Sequence, residues 1–144
     1  MRENAGGVNH RLVGLIVLST VFGLGHHVDH VIRGNHIGWP VTAQVNPFTY
    51  SLVIYPVILL GLYLTWRDRV GARYWFGVAL LGLAMLGGIH FGPWAIEPPH
   101  DIISPYQSTV FGYLAFAWLF GLLGTLLVTG LYAARQWRDV QPVR

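Results

Sequence analysis

The sequence predicts an all-α integral membrane protein, a small bundle of four antiparallel transmembrane helices, and three observations support this fold class. Hydrophobic residues make up 53% of the 144 residues and charged residues only 10%, which is too apolar for an ordinary soluble domain. The apolar residues form four long runs, each close to the length of one membrane span. The loops between the runs are short, so neighbouring spans should run antiparallel. We therefore treat residues 1–144 as a single four-span domain.

Each predicted span is bounded by residues that favour a helix end or the membrane surface. The spans cover approximately residues 12–32, 48–66, 74–91 and 106–134. Arg11 precedes the first span, and Pro47 stands at a helix-start position before the second. The basic segment Arg67–Arg73 separates the second span from the third, and Arg135 closes the fourth. Pro56, inside the second span, predicts a kink or an opening of the hydrogen-bond ladder there.

The distribution of arginine predicts the orientation in the membrane. All nine basic residues are arginine, and eight of them lie at the N-terminus, in the middle loop or at the C-terminus. Only Arg33 falls on the other side. Because basic residues concentrate on the cytoplasmic side, both termini are predicted to be cytoplasmic. The first and third connections then face outward, and each carries a tryptophan, Trp39 and Trp94, as a candidate interface anchor.

Composition excludes several classes of site. The chain has no cysteine, which excludes disulfides, thiolate metal sites, iron–sulfur clusters and covalently attached c-type haem. The net charge of +3 is small and follows the predicted topology. It gives no reason to expect a nucleic-acid partner, and the partner that the sequence predicts is the lipid bilayer.

Histidine is concentrated in the predicted outer half of the bundle. Six of the seven histidines fall there: His26, His27, His30, His36, His90 and His100. From Arg11 to His26 is fifteen helical residues, about 22 Å, and from Arg73 to His90 is seventeen, about 25 Å. In a hydrocarbon core of about 30 Å, both positions lie just inside the outer, extracytoplasmic boundary. The first and third spans therefore bring imidazoles to one layer.

The spacing of these residues predicts a metal site. His26 and His30 are four apart and share a helix face, and Asp29 lies beside them. Such a pair can place two ring nitrogens on one ion, while a carboxylate ligates it or orients a ring. The predicted ligands are His26, Asp29, His30, His90 and His100, with Glu97 and Asp101 as further candidates from the loop. Nitrogen and oxygen ligands suit Zn, Fe, Mn or Cu(II).

Such a site would open toward both the bilayer and the outer water. It could activate water or dioxygen for chemistry on a lipid or a small apolar substrate, which makes a membrane metalloenzyme one interpretation. A single histidine near a helix C-terminus at the membrane interface is also stable without any ligand. Asp29 and Arg33, four residues apart, can equally form an ion pair. The number of polar residues in one short stretch of a span favours a bound cofactor.

A b-type haem is the first alternative. His26 or His27 from the first span and His90 from the third would supply its two axial ligands. Glycines close to these histidines would leave room for a flat porphyrin between the helices: Gly23, Gly25, Gly87 and Gly88. This alternative predicts electron transfer across or within the membrane.

The second alternative is a protein without a cofactor. A small four-span chain can serve as an accessory subunit whose polar outer cluster pairs with a partner in a membrane complex. Rows of small residues, such as Ala117 and Gly121, would then provide surfaces for that partner or for a homo-oligomer.

Overall fold

The computed structural model describes residues 9–34 and 46–139, and these ranges contain helices and no strand. The helices are α1 (His10–Arg33), α2 (Pro47–Ser51), α3 (Ile54–Trp66), α4 (Ala72–Phe91), α5 (Pro99–Ile103) and α6 (Thr109–Asp139). Four stretches are long and apolar enough to cross a membrane: His10–Arg33, Phe48–Trp66, Ala72–Phe91 and Thr109–Asp139. The four predicted spans are therefore confirmed as helices of spanning length. Two residues of the first connection that the sequence singled out, His36 and Trp39, lie outside the described ranges.

Helix α1 has a defined cap at each end. The side chain of Asn9 accepts a hydrogen bond from the Leu12 N–H at 3.0 Å. At the other end Gly34 has φ 82°, a left-handed conformation that glycine adopts without steric penalty. The Gly34 N–H bonds to the carbonyls of His30 and Val31. The helix therefore ends directly after its histidines.

The second span is interrupted at Leu52 and Val53, between α2 and α3. Pro56 explains the position, because it lacks an N–H and its ring clashes with the carbonyl four residues earlier, which belongs to Leu52. The Leu52 carbonyl instead accepts a tighter bond from the Tyr55 N–H at 3.1 Å. The predicted distortion of this span is confirmed.

Two side-chain hydrogen bonds and the packing of two aromatic rings over Gly61 join helix α3 to α4. Gly61 is the only buried residue of α3, where the side chains of Tyr74 and Trp75 cross it. The Tyr74 hydroxyl donates to the Val57 carbonyl at 2.9 Å, and Trp75 Nε1 donates to Thr65 Oγ1 at 2.9 Å. The other residues of α3 are half-buried or exposed.

Helices α1 and α6 pack with a large side chain of each against a glycine of the other. Trp118 lies over Gly25, and a Cβ at Gly25 would fall 2.4–2.6 Å from its indole atoms. Phe22 lies over Gly121 in the same way. The two rings are 4.7 Å apart between centroids, and Trp118 Nε1 donates to the Phe22 carbonyl at 2.8 Å.

The fourth span differs from its predicted bounds of 106–134, since α6 runs from Thr109 to Asp139. Its start is later because Tyr106 is turned toward α1 as part of the preceding loop. Its end is later because the helix continues beyond the apolar run, where Trp137 packs on Phe76 and Arg73 lies 5.4 Å over the Trp137 ring. The predicted span ends where the apolar residues end, at residue 134. The helix itself continues through the polar residues to Asp139.

The apolar core lies at the end of the molecule away from the histidines. It joins the start of α1, the start of α4 and the end of α6, and consists of Leu12, Ile16, Ala72, Trp75 and Ala133. The opposite end, where α1 and α4 finish, is built from buried polar side chains.

Candidate metal centre

The last two turns of α1 direct one face toward the interior of the molecule. His26, Asp29 and Arg33 are spaced by three and four residues, share that face and are all buried, at 3%, 7% and 8% exposure. The opposite face carries Val28 and Ile32, which are 56% and 67% exposed. The helical period therefore places polar groups inside and apolar groups outside.

Three histidines from two helices converge on one point. His26 Nε2 and His30 Nε2 of α1 are 3.2 Å apart. His90 of α4 joins them, with its ring centroid 5.2 Å from that of His26 and 6.4 Å from that of His30. One ligand nitrogen from each histidine lies within 4.8 Å of the other two. Bonds of about 2.0–2.1 Å to a tetrahedral ion separate two nitrogens by roughly 3.3 Å, so the α1 pair already has suitable spacing.

His90 is oriented as a metal ligand would be. Its Nδ1 lies 2.9 Å from the carbonyl oxygen of Glu97, and because a carbonyl only accepts, the ring must donate there. The lone pair is then on Nε2, which is buried and has no hydrogen-bond partner within residues 9–34 and 46–139. Histidine ligands of metals commonly donate their second ring N–H to a backbone carbonyl in this way.

Glu97 holds the loop after α4 against this site. Its N–H bonds to the carbonyl of Ile89 at 3.1 Å, so the loop folds back over the end of α4. Its side chain is 1% exposed, and Oε2 lies 3.3 Å from His30 Nε2 and 3.5 Å from His90 Nδ1. Burial raises the pKa of the Glu97 carboxyl, and the neighbouring Arg33 guanidinium opposes that rise.

Arg33 links the two carboxylates beside the histidines. Its Nε and Nη2 each lie 2.8 Å from Asp29 Oδ2, and its Nη1 pairs with Glu97 Oε1 and donates to the Asp101 carbonyl at 3.1 Å. The Tyr106 hydroxyl donates to Asp29 Oδ1. Burial and this hydrogen bond to Asp29 raise the pKa of Tyr106 to about 12, so the hydroxyl keeps its proton at neutral pH.

The formal charges of this network favour a cation. Asp29 and Glu97 carry two negative charges, and Arg33 carries one positive charge between them. With both carboxylates ionised and the three imidazoles neutral, as metal ligands are, one negative charge would remain uncompensated beside the histidines. In a poorly solvated site such a charge attracts a metal ion strongly.

His27 lies outside the three-histidine group. Its Nδ1 is 2.9 Å from the carbonyl oxygen of Gly23 and 2.7 Å from the Tyr55 hydroxyl, and its Nε2 is 2.9 Å from Ser51 Oγ. Both ring nitrogens are thus occupied in joining α1 to the second span. The space at Gly25, which the haem alternative assigned to a porphyrin, is filled by Trp118. The geometry gives no support to haem bound by His27 and His90.

Two other predicted ligands are also placed elsewhere. His100 is at the surface with its side chain 75% exposed, and its Nε2 lies 2.8 Å from Asp101 Oδ1. Asp29 is engaged by Arg33 and Tyr106, so the ion pair considered from the sequence is the arrangement found. Sequence reasoning assigned Tyr106 no role here, because 77 positions separate it from Asp29 and no spacing signal connects them.

A mostly apolar cavity of about 150 Å³ adjoins the histidines. All three members of the group line its polar end, together with Glu97. The three histidines therefore border the polar network on one side and a mostly apolar cavity on another.

Comparisons with known proteins leave the site to be interpreted from its own geometry. No protein-family model matches the chain, and neither a curated protein nor a solved structure is significantly similar to it.

Proposed function

We propose that this chain is an integral membrane protein that binds one transition-metal ion through His26, His30 and His90. In this proposal the four helices form an antiparallel bundle with both termini in the cytoplasm, and the histidines lie near the extracytoplasmic face. The observation that carries the proposal is the convergence of three imidazoles, one of them with a buried Nε2 that has no hydrogen-bond partner in the part of the chain that the structure describes. The partner that surrounds the bundle is the lipid bilayer.

The ligand set indicates which ions fit and what they would do. Three neutral nitrogens without sulfur suit Zn, Fe, Mn or Cu(II), and the net negative charge of the adjoining network suits a divalent ion. Three protein ligands and one open position are typical of catalytic zinc sites, where the bound ion lowers the pKa of water. In this proposal Glu97, whose Oε2 lies 3.3 Å from His30 Nε2, is the base that takes a proton from a group bound at the open position. We therefore propose a metalloenzyme whose substrate approaches from the cavity.

Metal analysis of the purified protein tests the proposal. After expression with supplemented Zn, Fe, Mn and Cu, we expect about one equivalent of one ion per chain by mass spectrometry. His26→Ala and His90→Ala each remove one of three ligands, and we expect each to lower metal affinity at least 10- to 100-fold. His100→Ala is the matched control, because it removes an imidazole from the surface of the same region.

Two results would contradict the metal site. One is wild-type protein that stays far below one equivalent after incubation with each ion. The other is a full equivalent of metal that survives in the double variant His26→Ala, His90→Ala.

A further inference from the structure

The cavity beside the histidines extends along the helices for most of a membrane span. On α4 its lining runs from His90 to Trp75, fifteen helical residues or about 22 Å. On α1 it runs from His30 to Ile16. One end of this cavity is polar and carries the three histidines, while the walls beyond them are mostly apolar. The carboxylate and imidazole groups of the lining are confined to the histidine end, and the polar residues farther along it include Ser19, Thr20 and Thr129.

Exposed residues also border this cavity. Leu81 and Met85 of α4 line the cavity, and 57% and 38% of their surfaces are exposed. Its third wall is α3, in which only Gly61 is buried. The cavity of about 150 Å³ is therefore bordered by outward-facing residues of α4 and by the incompletely buried α3, and we refer to it as the cleft between α3 and α4. The cleft is longer than one bilayer leaflet, about 15 Å of hydrocarbon, and so has the length for an acyl chain.

The net charge at the histidine end of the cavity indicates which head group a bound chain would carry. Arg33, Asp29 and Glu97 sum to one negative charge, so a divalent ion on neutral histidines leaves the site with one positive charge. A ligand with one negative charge neutralises it, and a carboxylate oxygen is a suitable fourth ligand for Zn, Mn or Fe.

We infer that the site binds a long-chain carboxylate, with its carboxylate on the metal held by His26, His30 and His90 and its hydrocarbon chain in the cleft between α3 and α4. This inference rests on the proposed metal site and names the class of ligand that the site takes. The orientation matches that of a fatty acid in a bilayer, with its head near the surface and its chain toward the midplane.

Photo-crosslinking tests the position of the chain. The metal-loaded protein is placed in phosphatidylcholine nanodiscs with palmitic acid that carries a diazirine at the far end of its chain, irradiated and mapped by mass spectrometry. We expect crosslinks on cavity-lining residues between Trp75 and Gly82 of α4 and near Ile58 of α3. Removal of the metal, or use of the methyl ester, should lower this labelling at least tenfold.

Substitutions that fill the cleft provide the matched comparison. Ile58→Trp and, as a second variant, Gly82→Leu place new atoms in the cavity lining, and each should lower the labelling at least tenfold. Leu59→Trp is the control, because it introduces the same side chain at the next position, where Leu59 is 67% exposed. This variant should leave the labelling of the cavity unchanged. All three variants should keep about one equivalent of metal.

The metal content of each sample separates the two proposals. Scattered labelling of exposed residues in protein with a full equivalent of metal would overturn the carboxylate site and leave the metal site standing. Equal labelling by the acid and its methyl ester would overturn the assignment of the head to the metal. Protein that binds no metal and shows scattered labelling would contradict both proposals.

Discussion

Neighbouring histidines of the first span have the same residue type and nearly the same depth, but their side chains contact different partners. His26 and His27 are adjacent, yet His26 faces His30 and His90 while His27 is held by Ser51 and Tyr55 of the second span. The difference arises because neighbouring residues on a helix point about 100° apart. Residue type and depth thus identified the region of the site, and the direction of each ring decided which members belong to it.

Arg33 is the residue whose removal should destabilise the site end of the molecule most. Its side chain is 2% exposed and stands between the buried carboxylates of Asp29 and Glu97. Arg33→Gln leaves these carboxylates without a counter-charge, and breaking a buried ion pair in this way costs about 3–5 kcal/mol. We expect a correspondingly lower midpoint of thermal unfolding in detergent.

Arg69→Gln is the control for this measurement, because Arg69 is an exposed arginine outside the network. Its unfolding midpoint should match that of the wild type. Equal midpoints for Arg33→Gln and Arg69→Gln would show that the ion network contributes little to stability.

Sequence spacing predicted the part of the site that lies on one helix. His26 and His30 were paired because residues four apart share a face, and His90 was added because its helix reaches the same depth. The contacts that orient these ligands were not predictable in this way. His90 is fixed by the carbonyl of Glu97, and Asp29 is engaged by Tyr106, and both contacts depend on the path of a loop rather than on helical periodicity.

Among the helices, hydropathy predicted the number of spans and was less informative about their ends. It identified four runs, and within residues 9–34 and 46–139 four helical stretches are long and apolar enough to span, the second of them interrupted at Leu52 and Val53. It did not predict the short helix α5 or the continuation of α6 to Asp139, because both lie in parts of the sequence that are more polar than the four apolar runs. The interruption of the second span was predictable because Pro56 removes a hydrogen bond whatever surrounds it.

The contact between α1 and α6 depends on the absence of a side chain at Gly25. In Gly25→Ala the added Cβ would meet ring atoms of Trp118 at 2.4–2.6 Å, so the indole or the helix must move. Overpacking of this kind costs about 1–3 kcal/mol. We expect a lower unfolding midpoint in detergent for Gly25→Ala.

The matched control is Gly14→Ala in the same helix, where a Cβ would meet nothing within 4 Å. Alanine forms helix more readily than glycine, so this change should be neutral or stabilising by up to about 1 kcal/mol. If both variants unfold at the same temperature, the Trp118 contact does not restrain the pair of helices.

Across the whole molecule, the largest apolar cluster and the candidate site lie at opposite ends. The buried apolar residues around Leu12 and Trp75 join α1, α4 and α6 where these helices meet away from the histidines. The other end buries charged and polar groups, which are costly in a membrane-spanning region and are usually retained for function. The cavity lining includes Ile16 and Trp75 at one end and the three histidines at the other, so the proposed chain site and the proposed metal site share one cavity.

The orientation of the whole molecule remains a prediction, and the absence of native cysteine makes it directly testable. Single cysteines are introduced by Trp94→Cys, Arg69→Cys and Arg138→Cys, at positions that are all exposed. Because eight of nine arginines lie on one side of the predicted spans, a membrane-impermeant maleimide should label Trp94→Cys in intact cells. It should label the other two only after permeabilisation.

Each alternative pattern of labelling identifies a different error. The reverse pattern would place the histidines at the cytoplasmic face and keep the antiparallel bundle. Labelling of Trp94→Cys and Arg69→Cys from the same side would overturn the antiparallel arrangement, since α4 would then not cross the membrane between them. Labelling of Arg138→Cys and Arg69→Cys from opposite sides would mean that α6 does not return the chain to the side of the middle loop.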